Sequence, residues 1–110
     1  MPPAETKTCA SCGRTITWRK AWADDWDQVR WCSSACRRRG LRDGDRELEA
    51  RVLAAAGRTR RFPLASVEGD REDVRRAARR LAAAGRLRWT QRGSPVDPST
   101  ARGEVEITAL

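Results

Sequence analysis

Residues 8–13 read Thr-Cys-Ala-Ser-Cys-Gly, and residues 31–36 read Trp-Cys-Ser-Ser-Ala-Cys. The four cysteines follow the pattern C-x2-C-x19-C-x3-C, and the chain contains no histidine. Two close pairs separated by a short insert suit one tetrahedral ion, because two or three residues between ligands set both sulfurs on the same side of the backbone. The spacing therefore predicts one metal site with the ligands Cys9, Cys12, Cys32 and Cys36.

Four thiolates select a soft, tetrahedral metal, and zinc is the expected ion. Since four sulfurs fill the coordination sphere, no position stays open for an activated water, and the ion is expected to be structural. Two disulfides, four free thiols or an iron–sulfur cluster are the alternatives. Residues 1–40 hold too few aliphatic side chains to fold alone, whereas zinc binding can supply roughly 10 kcal/mol or more.

The composition points to a nucleic-acid partner. The 110 residues include 23 Lys+Arg against 15 Asp+Glu, which gives a net charge of +8 and a sequence pI near 10.8. Such an excess is typical of proteins that bind phosphate backbones. The alternative is a genome rich in G and C, since only Lys7 and Lys20 among the basic residues are lysine.

The compartment is predicted from the same composition. The sequence contains no apolar run long enough to span a membrane and no signal peptide, so no membrane partner is expected. Four closely spaced cysteines without a secretory segment favour a reducing compartment, and a cytoplasmic location is predicted.

The first half of the chain is predicted to consist of a flexible tail over residues 1–8 and a four-cysteine zinc knuckle over residues 9–40. Gly13 follows the second ligand, where a positive φ is often required. Residues 15–18 alternate as a short strand does. Tryptophans then recur every four residues, as on one face of a helix. Ser33 or Ser34 can cap a helix that Gly40 ends.

The second half, residues 45–110, is predicted to fold as helix, a short helix of one turn within residues 58–69, helix and hairpin. A first helix capped by Asp43 or Asp45 should reach Ala56, with Gly57 as its stop. Asp70 should cap a second helix that ends at Gly85. Residues 86–91 and 104–108 alternate as two paired strands, joined by a long loop over residues 92–103.

This order of elements is typical of a winged helix-turn-helix, in which the third helix enters the major groove and the wing contacts the backbone. The predicted fold class is therefore α+β: a small, treble-clef-like four-cysteine knuckle joined to a degenerate winged helix. On the helix that opens at Asp70, the face opposite the apolar residues carries arginine at positions 75, 76, 79 and 80, and arginine suits phosphate and guanine. A solvated basic face or a protein-docking surface is the alternative. The predicted nucleic-acid contacts are Arg71, Arg75, Arg76, Arg79, Arg92 and Arg102.

Tryptophan supplies five of the six aromatic residues. The predicted structural aromatics are Trp18, Trp22, Trp26, Trp31 and Trp89, although exposed indoles could instead stack on unpaired bases. The chain has no histidine, no Walker-type loop and no serine in a nucleophile elbow, so we expect neither an enzyme nor a small-molecule substrate.

Two stretches resemble known bacterial families. The segment KTCASCGRTITWRKAWADDWDQVRWCSSACRRR, Lys7–Arg39, closely resembles the zinc-binding family called domain of unknown function 2256, whose cysteine pairs and tryptophans it matches. From about Leu48 onward, VRRAARRLAAAGRL and QRGSPVDPSTARG resemble the family called domain of unknown function 3253. Members of that family look like winged helices, so the resemblance implies the same fold here.

The sequence thus predicts a non-catalytic protein that holds one structural zinc ion and binds nucleic acid, DNA rather than RNA, in a regulatory or accessory role. One alternative is an adaptor whose tryptophan-rich knuckle docks on a nucleic-acid enzyme, which would make a protein the partner. A second alternative is RNA binding through stacked tryptophans.

Overall fold

The protein mixes helix and strand in both halves of the chain. The computed structural model describes residues 5–110. The elements of the cysteine-rich half are the strands β1 (Thr6–Thr8) and β2 (Thr15–Thr17), two 3-10 turns and helix α1 (Ser34–Arg39). The elements of the second half are α2 (Asp43–Arg58), β3 (Arg61–Pro63), a 3-10 turn (Leu64–Ser66), α3 (Arg71–Ala83), β4 (Leu87–Gln91), β5 (Ser94–Pro95) and β6 (Glu106–Ala109).

Strands β1 and β2 form an antiparallel hairpin in which Lys7 lies opposite Ile16. The alternation of residues 15–18 predicted a short strand, and the structure confirms it over Thr15–Thr17. The tail prediction is wrong for residues 6–8, because these residues pair with β2. Residues 1–4 of the predicted tail lie outside the described residues.

The predicted tryptophan helix is replaced by two separate 3-10 turns, Lys20–Trp22 and Trp26–Gln28. Their backbone bonds span three residues: the amide of Ala23 donates to the carbonyl of Lys20, and that of Val29 to Trp26. Aspartates lie between the turns, and aspartate competes with helix formation by bonding to nearby backbone. Short 3-10 pieces are the usual outcome where a continuous helix cannot form.

Helix α1 begins and ends where the sequence predicted. The Ser33 side chain accepts from the backbone amide of Cys36 at 3.2 Å, which makes Ser33 the cap. Gly40 follows the last helical residue with a φ of +61°, a conformation that favours glycine.

Helices α2 and α3 also follow the predicted order. α2 runs past Ala56 and through Gly57 to Arg58, so the predicted stop at Gly57 is two residues early. The Asp70 side chain accepts from the amide of Asp73 at 3.0 Å and caps α3, as predicted.

A four-stranded antiparallel sheet of order β3-β6-β4-β5 closes the second half. The predicted pairing of the 86–91 and 104–108 segments is confirmed by β4 and β6, with Trp89 opposite Ile107. Strand β3 was not predicted. It is three residues long, contains Pro63 and pairs only along one edge of β6, which is where proline is tolerated.

Each half has its own core. In the second half, Trp89 is 1% exposed and donates from Nε1 to the carbonyl of Ala78 at 3.3 Å, which confirms it as a core residue. The smaller core of the first half consists of Cys9, Cys12, Ile16 and Trp26. Within residues 5–110, no helix combines the length and the apolar character needed to cross a membrane.

Candidate metal centre

The four cysteine sulfurs lie within 4.8 Å of one another. Cys32 Sγ is 3.6 Å from Cys12 Sγ and 3.5 Å from Cys36 Sγ. A tetrahedral ion with metal–sulfur bonds of about 2.3 Å sets its sulfurs about 3.8 Å apart, whereas a disulfide joins them at about 2.05 Å. All four cysteines are free, so the predicted ligands form one cluster that can hold a metal ion.

Backbone hydrogen bonds position the two ligand pairs. Cys9 and Cys12 lie in the turn between β1 and β2, closed by the amide of Gly13 on the carbonyl of Cys9 at 3.0 Å. The amide of Ala10 donates to the carbonyl of Arg30 at 2.9 Å, which ties this turn to the chain just before Cys32. The cap at Ser33 then orients the first turn of α1, which carries Cys36.

The thiols differ in acidity. Burial raises the pKa of Cys9, but amide donors of Cys12, Cys32 and Ser11 outweigh it and bring the pKa down to about 7. Burial raises the pKa of Cys12 and that of Cys32, and hydrogen bonds to neighbouring cysteines raise the latter further. A bound cation has to displace the protons of these thiols, so metal binding releases protons and weakens as the pH falls.

Aromatic side chains surround the cluster. Trp26 is 9% exposed, and Trp22 stacks against it with ring centroids 6.0 Å apart. Trp22 and Trp31 are half-buried against the small core of the first half, to which Cys9, Cys12 and Trp26 belong. These three positions agree with the predicted packing role, whereas Trp18 is 39% exposed and lies outside both cores. The structural role of Trp18 therefore stays a prediction.

The cysteine-bearing turn docks on helix α3. Arg80 Nη1 donates to the carbonyl of Ser11 at 2.6 Å, and Arg79 Nη1 donates to the carbonyl of Cys12 at 3.4 Å. Gly13 is buried against Arg79. The four-cysteine cluster and the second half of the chain are thus in direct contact at the turn that carries Cys9 and Cys12.

A second set of contacts, made by the Arg39 side chain, connects α1 to α2 and α3. The Arg39 guanidinium makes two bonds to Asp45, at 2.8 and 3.0 Å, and one to Asp73 at 3.1 Å. Asp45 is 2% exposed, and its burial raises its pKa, but the bonds from Arg39 and from the amide of Arg42 outweigh this and hold the pKa below its usual value. The carboxylate therefore stays charged and paired near neutral pH.

The structure corrects the predicted nucleic-acid face of α3. Arg75 is 9% exposed and Arg79 is 2% exposed. Arg75 donates to the carbonyls of Ala101 and Gly103, Arg79 donates from Nε to the carbonyl of Pro98 at 3.1 Å, and both lie over the Trp89 ring. Their guanidinium groups are used inside the protein, so the prediction that they contact nucleic acid is wrong in this conformation.

The other four arginines predicted to contact nucleic acid differ in exposure. Arg76 is half-buried and pairs with Asp73 at 3.0 Å. Arg71, in the first turn of α3, is exposed, and so are Arg92 and Arg102 at the two ends of the β4–β6 connection. Arg92 and Arg102 line one groove, together with Glu104 and Glu106. Nucleic-acid contact by these three exposed arginines stays a prediction.

Sequence reasoning missed the residues that hold the halves together, namely Arg39, Asp45, Arg80 and Ser11. Arg39 and Arg80 stand in arginine runs that are typical of a surface, and the partners Asp73 of Arg39 and Ser11 of Arg80 are far along the chain. Gly13 is the one residue whose type pointed to this contact. A glycine at a position that needs a positive φ has no side chain, so it also lets another element approach closely.

Two family models match the chain. The one described as "Uncharacterized protein conserved in bacteria (DUF2256)" matches residues 3–39, and the one described as "Protein of unknown function (DUF3253)" matches residues 49–109. No curated protein matches. Both resemblances noted in the sequence are thereby confirmed. Because the second model covers more than half of the chain, this protein belongs to the family of unknown function DUF3253, with a DUF2256 segment that supplies its four cysteines.

Proposed function

We propose that the four cysteines hold one structural zinc ion and that the protein binds nucleic acid without catalysing a reaction. The sulfur distances and the all-thiolate ligand set support zinc, which prefers four sulfur ligands in tetrahedral structural sites. Four protein ligands leave no position for water or substrate on the ion. Reduced cysteines suit a reducing compartment, so a cytoplasmic location remains part of the proposal.

Topology supports the finer fold assignment. In the first half, a cysteine turn between two hairpin strands and a helix that carries the last ligand are the parts of a treble clef. In the second half, α2, β3, a short turn, α3, β4 and β6 follow the winged-helix order, and β6 lies between β3 and β4. We therefore assign the segment between β4 and β6 as the wing.

The observation that best supports nucleic-acid binding is the net positive charge of the exposed side chains. Of the 23 basic residues 17 are exposed, and of the 15 acidic residues 10 are exposed, so the exposed side chains carry a net charge of +7. The burial of arginines on α3 therefore leaves the basic surface almost unchanged. A surface of this kind attracts phosphate backbones and releases their counterions.

The contact surface we propose is the wing with the first turn of α3. It comprises Arg71, Arg92 and Arg102, and it uses the backbone of duplex DNA rather than base edges, because Arg75 and Arg79 are not available to read a groove. This proposal accounts for a regulatory or accessory role with little sequence preference.

The test is duplex binding of the zinc-loaded chain across a salt series. Changing Arg92→Gln together with Arg102→Gln should weaken binding and flatten the log–log salt slope by about 0.9 per lost phosphate contact. Glu104→Gln removes a carboxylate from the same groove and should strengthen binding.

The matched control is Arg58→Gln with Arg60→Gln, which removes the same charge from exposed positions of the second half. If the control pair weakens binding as much as the wing pair does, the wing is not the contact surface. If the parent chain shows no salt-dependent binding, the nucleic-acid proposal itself is wrong.

A further inference from the structure

A groove of about 640 Å³ opens on the cysteine-rich half, away from the proposed wing. It lies between the two 3-10 turns and the start of α1. Its walls combine two indoles, three arginines and one carboxylate: Trp22, Trp31, Arg19, Arg30, Arg37 and Asp25. Flat aromatic surface and positive charge therefore meet in one concave place.

The two indoles that line the groove also pack against other residues of the first half. Trp22 stacks on Trp26 at an interplanar angle of 22°, and Trp31 packs against the small core of the first half. Both remain half-buried rather than buried, and both border the groove. A ring already fixed by its packing loses little side-chain entropy when a flat ligand stacks on it.

A guanidinium accompanies each indole. Arg19 Cζ lies 4.2 Å from the ring centroid of Trp22, and Arg30 Cζ lies 5.5 Å from that of Trp31. Both arginines are exposed and cationic, so each can stack on a base or turn to a phosphate at small energetic cost. With Arg37, the groove wall has three positive charges against the single carboxylate of Asp25.

This combination selects one class of ligand. An acidic peptide would satisfy the arginines but leave the indoles without a flat partner. A DNA duplex would offer phosphates, but its bases are stacked within the helix and cannot reach a ring. An unpaired nucleotide supplies a base for an indole and a phosphate for an arginine together.

We infer that this groove binds single-stranded nucleic acid, by stacking unpaired bases on Trp22 and Trp31 and pairing phosphates with Arg19, Arg30 and Arg37. The inference deepens the proposed function, since it rests on nucleic-acid binding and names a separate surface and ligand. The wing and the groove can fail independently, because they lie in different halves and prefer different forms of nucleic acid.

The first experiment measures fluorescence anisotropy of a labelled 12-nucleotide oligouridylate with the zinc-loaded chain. The triple variant Arg19→Gln/Arg30→Gln/Arg37→Gln should bind at least tenfold more weakly and lose up to about 2 units of log–log salt slope, at about 0.7 per phosphate. The control Arg58→Gln/Arg60→Gln/Arg86→Gln removes equal charge from exposed positions of the other half and should cost less than threefold. Equal losses of affinity in the two triple variants would contradict the inference that the groove binds the oligonucleotide.

The second experiment separates stacking from charge. Trp31→Ala should weaken oligouridylate binding roughly fivefold or more, the loss expected for one stacked base. Trp18→Ala, the exposed tryptophan outside the groove, should leave it unchanged. Asp25→Asn should strengthen binding and does not disturb a core residue, so it tests the groove even if Trp31→Ala fails to fold.

The duplex used for the wing serves as competitor. An unlabelled duplex that displaces the oligouridylate as effectively as unlabelled oligouridylate does would contradict single-strand selectivity. If the duplex binds through the wing while the groove variants leave oligouridylate binding unchanged, the groove inference fails and the proposed function stands.

Discussion

Gly13 lies where the ligand turn of the first half contacts helix α3 of the second half. A Cβ at this position would lie 2.4 Å from the Cβ of Arg79 and 2.6 Å from the backbone nitrogen of Arg80, and the φ of Gly13 is +79°. Both the left-handed backbone and the contact therefore require glycine. Its place after the second ligand predicted the positive φ from sequence. The contact with Arg79 could not be predicted, because the partner is far away along the chain.

This contact predicts how much stability is lost when a methyl group is added at position 13. Gly13→Ala should lower the free energy of unfolding by about 3–5 kcal/mol, the sum of a left-handed alanine and an overpacked contact. Gly85→Ala is the control, since Gly85 has a φ of +76° and a Cβ added there would meet no heavy atom within 4 Å, and it should cost only about 1–2 kcal/mol. Urea unfolding of the zinc-loaded variants measures both. Equal losses would mean that α3 and the ligand turn are not in contact.

Helix α3 shows why an arginine face was misread at the scale of elements. The helical period places Arg79 on the side away from Val74 and Ala78 and Arg75 at the flank of that apolar stripe, which predicts a solvated or nucleic-acid-binding face. The connection between β4 and β6 folds over this face and presents its carbonyls to the guanidinium groups. The bounds of α3, its cap and the β4–β6 pairing follow local patterns and were predictable. The path of an irregular connection over a helix is not a local property.

The α3 contacts predict that Arg79 acts on stability. Arg79→Ala removes the donor to the carbonyls of Pro98 and Cys12 and should lower the free energy of unfolding by about 2–4 kcal/mol. Arg79→Lys should recover little, because an ammonium cannot reproduce the planar donor set. Arg71→Ala, at an exposed position of the same helix, should change it by less than about 0.5 kcal/mol. Thermal unfolding compares the three, and a stable Arg79→Ala variant with weakened DNA binding would restore the nucleic-acid role of this face.

At the scale of the whole molecule, hydrogen bonds connect the four-cysteine cluster directly to the second half of the chain. The carbonyls that receive Arg79 and Arg80 belong to Cys12 and Ser11, in the turn that carries the first ligand pair. The Arg39 contacts tie α1, which carries Cys36, to α2 and α3. The four-cysteine cluster was predictable from spacing alone, because two close cysteine pairs are the pattern that a tetrahedral metal site requires. The docking of the two halves was not, because it depends on pairs between distant arginines, carboxylates and carbonyls.

The most direct test of this account is hydrogen exchange measured by mass spectrometry on the intact chain, with zinc and after treatment with a strong chelator. We expect the intact mass to show one zinc ion per chain. Its removal should abolish protection over residues 9–40 and also lower protection over residues 71–83, because α3 loses its contacts with the ligand turn. Unchanged protection of residues 71–83 after loss of the metal would contradict the account.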